Sequence, residues 1–263
     1  MPVGSLRNEA YERIRGKLAL GHWAAGSELS EPMLAEMLGI SRTPVREALQ
    51  QLEVEGLVER TPRRSTFVRL PDRRDILDPY ELREALEVYA VSLAATKRTP
   101  ADLEKLRYLC SQIGAIYEEF QRSGAQALND GKLRRLLAVD MGFHLVLIQA
   151  TGNRRLMKIV GDSHVMSRVF GAPRAEHNLK MVRGNHRIHL DILQAVEASD
   201  EQRARGLMER HIRQSLNLTL EYFDGKNGGP AAAAAPTEMT MPDYLLDEFK
   251  RIGLPTKYLA GNS

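Results

Sequence analysis

Ser30 to Leu57 reads SEPMLAEMLGISRTPVREALQQLEVEGL, and its punctuation decides the fold. Leu34, Met37 and Leu38 make the buried edge of a short helix over Glu31 to Met37. Gly39 ends it, at a left-handed corner that glycine turns at least cost. A second helix opens at Ser41-Arg42-Thr43-Pro44, where Ser41 or Thr43 caps the orphan N–H groups. Pro44 is tolerated in that first turn because its missing N–H would have had no partner. Val45, Ala48, Leu49 and Leu52 keep helical spacing, and Gly56 closes the element. Two helices about a tight turn form a helix-turn-helix, whose second helix enters a DNA major groove by its N-terminal residues. Arg42 and Arg46, four apart, share the face opposite the buried one. A guanidinium there donates two parallel hydrogen bonds to guanine O6 and N7. Ser41, Thr43 and the helix N-terminus suit phosphates. Ordinary solvated charges are the plain alternative for both arginines, and the turn signature around them favours DNA.

Outward from that stretch, residues 5–23 predict an amphipathic helix with Ala10, Ile14, Leu18 and Trp23 inward. Gly26 to Leu29 fits a short strand. Residues 57–60 and 66–69 alternate like a strand pair. The connection 61–65 is then a wing tip carrying Arg63 and Arg64 towards the minor groove or phosphates. From residue 60 to 74 the arginines at 60, 63, 64, 69, 73 and 74 face a single acid, Asp72. A basic patch just behind the recognition helix is where backbone phosphates are met.

LAEMLGISRTPVREALQQLEVEGLVER resembles the winged helix-turn-helix of the GntR family of bacterial transcription regulators. The match covers about the first seventy residues, so 1–70 is expected to be the DNA-binding domain. Family wings usually hold a glycine just before the second strand, where this chain has Ser65.

The remaining chain has room for a second core: 263 residues, 43% hydrophobic and 27% charged. A lone cysteine, Cys110, excludes an internal disulfide framework and fits a reducing compartment. No run approaches eighteen apolar residues and no signal-like block opens the chain, which predicts a cytoplasmic protein without membrane contact. The net charge of +3 is too small to argue nucleic-acid binding by itself.

Pro71 to Asp78 reads as a linker (71–78). Six apolar stripes follow, predicting helices at 78–98, 101–122, 131–151, 153–171, 175–198 and 200–223, an all-α antiparallel helical bundle over 79–224. The first stripe is Leu82, Leu86, Tyr89 and Leu93; the second runs through Cys110, which therefore packs rather than reacts. Polar residues interrupt three of these stripes. Asp140 and His144 occupy inward positions one turn apart on the third bundle helix. His189 and His211 stand in the stripes of the last two, twenty-two residues apart, which brings antiparallel helices back to one level. Burying each such group unpaired is costly. Single histidines in cores are usually just hydrogen-bonded, but four inward polar groups from three helices point to a shared divalent transition metal: zinc first, nickel or manganese as alternatives.

This half resembles the FCD ligand-binding domain of FadR-type regulators, in the six-helix VanR-like variant. FCD domains carry Asp-x3-His and two later histidines, matching Asp140, His144, His189 and His211. The resemblance implies a sensor of small organic acids beside the metal. Arg83, one turn before Glu87, matches a cavity-facing family position and would pair with a carboxylate; its plain reading is a surface pair with Glu87. Asn153 is a helix cap or an effector contact, and His164 lines the cavity without ligating. The whole then reads as a regulator and not an enzyme. A homodimer holds a palindromic double-stranded operator, and an organic acid releases it by altering helix packing through the linker. A metal-dependent hydrolase and a purely structural metal are the rival readings. The tail has a flexible spacer at 225–236 and an extension at 237–263 with a short helix over Pro242 to Ile252; the resemblance does not reach it.

Overall fold

The computed structural model describes residues 3–19, 21–61, 65–170 and 177–225. The chain is mainly helical. Helices α1 (Val3–Ala19), α2 (Glu31–Leu38) and α3 (Arg42–Val54) precede strands β1 (Val58–Arg60) and β2 (Thr66–Val68). Six long helices follow: α4 (Arg73–Lys97), α5 (Pro100–Ser123), α6 (Asp130–Ala150), α7 (Arg154–Val169), α8 (Leu179–Glu197) and α9 (Glu201–Gly225).

Local chemistry sets the first three elements. Ser30 accepts from the Met33 N–H at the start of α2, and Gly39 ends that helix at φ 68°. Pro44 sits in the first turn of α3, while the Ser41 hydroxyl makes no cap hydrogen bond of its own. The two strands pair antiparallel with Val58 opposite Val68, and Glu28 bridges to Phe67 beside them. That makes a winged helix-turn-helix around Ile14, Leu34, Leu49 and Leu52, all fully buried. The wing-tip residues Arg63 and Arg64 and the whole tail 226–263 lie outside the described residues.

Two expectations need correction. The first bundle helix, expected from residue 78, begins at Arg73, so most of the stretch 71–78 is helical. Asp72 caps α4 with its carboxylate on the Arg74 and Asp75 N–H groups, and Asp75 returns the bond to Asp72. Pro79 then falls inside α4 and sacrifices one backbone bond without ending it. The second correction concerns which side of α4 faces inward. Leu82 and Tyr89 are 48% and 50% exposed, while Tyr80, Arg83, Glu87 and Ala90 are buried. Half of the expected apolar stripe on α4 thus points away from this chain's core, and Arg83 and Glu87 point in beside Tyr80 and Ala90.

The bundle is built around α4, which packs along α9 and also touches α6, α7 and α8. Thr99 and Asp102 form a capping box at the head of α5, Asn129 caps α6 and Asn178 caps α8. Cys110 is buried in α5, and burial pushes its thiol up to about 12, so it packs and does not react. Among the described residues no helix is long and apolar enough to cross a membrane.

Candidate metal centre and DNA-reading helix

On the DNA-reading helix, Ser41, Arg42, Thr43 and Arg46 are exposed together, because Pro44, Val45, Ala48 and Leu49 take the inward side of α3. Arg46 is held in place: its Nε and Nη2 reach both carboxylate oxygens of Glu31 at 2.8–3.1 Å. The Arg60 guanidinium donates to the Arg46 carbonyl at 3.1 Å, which ties the wing strand to the same helix.

In the bundle, α6 contributes Asp140 and His144, α8 His189 and α9 His211. One ligand atom from each lies within 4.8 Å of every other. The three imidazoles are buried, and His144 Nε2 faces His211 Nε2 at 3.2 Å. The far side of two rings is clamped. His144 Nδ1 meets a Glu87 oxygen from α4, and His189 Nδ1 lies 2.7 Å from the Asn185 carbonyl. A carbonyl can only accept, so His189 carries its proton on Nδ1 and turns a bare Nε2 inward. That atom is buried without a hydrogen-bond partner, 3.4 Å from Asp140. Lone pairs converging from clamped rings are the donor set a divalent cation needs.

Electrostatics agree. Burial alone would raise the Asp140 carboxyl, yet Arg168 and the imidazoles around it hold it well below the usual carboxylate range. Burial likewise opposes ionisation of Glu87, and Arg83, His144 and His164 overcome it. Burial pushes His189 down to about 4, and His211 well down too, keeping them neutral as ligands must be.

The other expected residues divide. Arg83 is buried, but its Nε donates to Glu87 at 2.7 Å, so this guanidinium already has its carboxylate. His164 is buried on α7 with Nε2 3.1 Å from Glu87. With Glu87 and His144 it makes a second tight group of three, beside the first. Asn153 is the cap of α7, accepting from the Arg155 and Leu156 N–H groups. Three contributors went unrecognised in the sequence. Glu87 orients His144, and Arg168 Nη2 and Asn185 Nδ2 hold the two oxygens of Asp140 at 2.8 and 3.0 Å. The spacing of Arg83 and Glu87 on one helix face was the only sequence signal for any of them.

Residues 6–68 match the bacterial regulatory proteins of the gntR family, and residues 78–214 match the FCD domain. The chain belongs to the GntR family. As a GntR regulator with an FCD domain, it is 29% identical to the Nta operon transcriptional regulator of Aminobacter aminovorans, over 78% of this chain and 90% of that one. It is also 29% identical to LutR of Bacillus subtilis, an HTH-type transcriptional regulator, over 78% and 96% of the two chains. In fold it is similar to McbR/YncC of E. coli, with a TM-score of 0.72 at 22% identity over 83% of this chain and 98% of that one. Like these relatives, this GntR protein is a DNA-binding transcriptional regulator and not an enzyme.

Proposed function

We propose that this GntR regulator binds a palindromic operator as a homodimer and responds to a small organic acid at a metal held by Asp140, His144, His189 and His211. Arg42 and Arg46 read base edges, with Ser41, Thr43, Arg63 and Arg64 on the backbone. Zinc is the first candidate for three imidazoles and a carboxylate, with nickel and manganese next. A bound ion would supply a Lewis-acidic centre that a carboxylate can ligate. The residues around it hold the ligand rings, fix their tautomers and exclude water. The observation that carries this reading is the convergence of one carboxylate and three buried imidazoles, two of whose rings are clamped from behind by Glu87 and the Asn185 carbonyl.

The dimer is supported by the outward stripe of α4, where Leu82, Ala85 and Tyr89 are exposed with Leu86 between them. The same helix carries Arg83 and Glu87 on its other side. A shift at the metal thus acts on the helix that a second subunit would grip.

A second route runs through α7. Asp162, two residues from His164, accepts from Arg15 Nη2 on α1 at 2.6 Å. Arg15 Nε in turn lies 3.4 Å from Glu55, the residue that ends the recognition helix, and Tyr11 donates to the same carboxylate at 2.6 Å. The sensor is therefore wired to α3 by an ion chain as well as by α4. Effector binding changes operator affinity only by its preference for one arrangement over the other.

Elemental analysis and mass spectrometry of the natively purified protein, followed by operator titrations with and without chelator, test the reading. Stoichiometric metal and acid-dependent release are expected. A metal-free protein would overturn the metal centre. Metal that stabilises the fold while no acid shifts operator affinity would leave a purely structural ion.

A further inference from the structure

Arg168 projects from α7 into the metal cluster with its side chain only 8% exposed. Its Nη2 is used on Asp140, but Nε and Nη1 are buried without hydrogen-bond partners. Burying donors of a guanidinium unmatched is expensive, and proteins place such groups where something arrives to meet them. Beside it, Asn185 presents the complementary defect. Its Nδ2 must face the Asp140 carboxylate, so its Oδ1 is turned the other way, buried and without a donor. Arg83, by contrast, is already satisfied by Glu87.

Charge narrows what can fill the gap. The buried groups are two guanidiniums, Arg83 and Arg168, and two carboxylates, Glu87 and Asp140, which cancel. An imidazole ligates a metal only in its neutral form. A divalent ion therefore leaves the loaded centre at about +2, in a medium where uncompensated charge is costly.

We infer that the effector is a short dicarboxylate dianion, one carboxylate on the metal and the other accepting from a free N–H of Arg168, with a hydroxyl donated to Asn185 Oδ1 where the acid has one. This rests on the metal reading above. Arg168 is the specificity-determining residue: a monocarboxylate reaches the metal but leaves the guanidinium unmet and half the charge uncompensated. A site built to pair with a group rejects analogues that lack it far more strongly than an apolar pocket rejects a size change.

The test uses full-length protein loaded with zinc, its metal content measured before each titration. Calorimetry compares propionate, succinate and malate on the wild type, Arg168→Gln and Asn185→Leu. Succinate is expected to bind at least tenfold tighter than propionate, malate tighter still, and the succinate preference to collapse in Arg168→Gln while propionate changes little. In Asn185→Leu the advantage of malate over succinate disappears. Equal affinity for propionate and succinate in the zinc-loaded wild type overturns the inference, as does a preference that survives Arg168→Gln. If the Gln variant does not fold, Arg168→Lys replaces it: a reduced preference supports the assignment and an undiminished one overturns it. A protein that takes up no zinc condemns the metal reading instead, and the titrations separate the two failures.

Discussion

Glu87→Gln is the sharpest perturbation of the centre, because it changes one atom and no volume. In the wild type, one Glu87 oxygen accepts from Arg83 at 2.7 Å and the other meets His144 Nδ1. A glutamine keeps a single acceptor. If that oxygen stays on Arg83, the new amide N–H faces His144 and drives its proton from Nδ1 to Nε2, the atom that should ligate. If the amide turns over, an N–H faces Arg83, and a buried guanidinium loses its partner. The first outcome costs metal affinity, and loss of such an outer partner typically weakens binding 10- to 100-fold, about 1.4–2.8 kcal/mol. The second costs stability, with a broken buried pair worth about 3–5 kcal/mol against a total of about 5–15 kcal/mol. Adding Arg83→Met to Glu87→Gln removes the unpaired cation and should recover stability but not metal affinity. Competition with a chromophoric chelator reads the first quantity and urea unfolding of the metal-free protein the second. A Glu87→Gln protein that holds zinc within about threefold of the wild type, well inside that range, would refute the clamping argument.

Four further outcomes follow from the same geometry. Arg46→Ala should weaken operator binding by about 1–3 kcal/mol and relax preference at one base position, read by anisotropy on operator variants; uniform weakening across sequences would reassign it to phosphate. Zinc at about a thousand times its dissociation constant should stabilise the fold by about 4 kcal/mol, a rise of roughly 10 °C in melting temperature that His211→Ala abolishes, checked by scanning calorimetry. Asp162→Asn should leave effector binding intact but shrink the effector's influence on operator affinity, and an unchanged coupling would discard the ion chain to Glu55. Burial pushes His189 down to about 4 and His164 down to about 3, so between those values and the ordinary histidine range the unfolded chain binds more protons than the folded one. The metal-free protein should therefore lose stability as pH falls from about 7 towards 4, and a flat urea-unfolding profile across that range would refute the burial assignment.

The DNA-reading head was legible because its signals are local. Left-handed Gly39, Pro44 in a first turn and a regular apolar period act over a few residues and survive in the fold, whereas the expected Ser41 cap bond does not form. The clustering of Asp140, His144, His189 and His211 was legible for a related reason, since a polar side chain in an apolar stripe advertises itself. The stripes themselves misled on α4. Periodicity reports that a helix has an apolar face, not what covers it, and on α4 the face with Leu82 and Tyr89 looks outward. The inward face carries Arg83 and Glu87, which pattern alone reads as a solvated ion pair. Arg168, Asn185 and Asp162 act through partners 28, 45 and 147 residues away. No local rule reaches across such separations.

Those distant partners share a design. Asp140 is held by α7 and α8, Glu87 by α4 and α6, and Asp162 by α1, so each of these three carboxylates ties two or more elements together. α7 has Arg168 and His164 at the sensor and Asp162 at the DNA-binding domain, within two helical turns. Packed side chains and rigid helices move in discrete steps rather than bending gradually. On the proposed reading, a ligand drawn to Arg168 would displace α7 as a body, and Asp162 with it. The residue at the far end of that ion chain is Glu55, where α3 stops, so the proposed coupling would act at the base of the element that reads DNA.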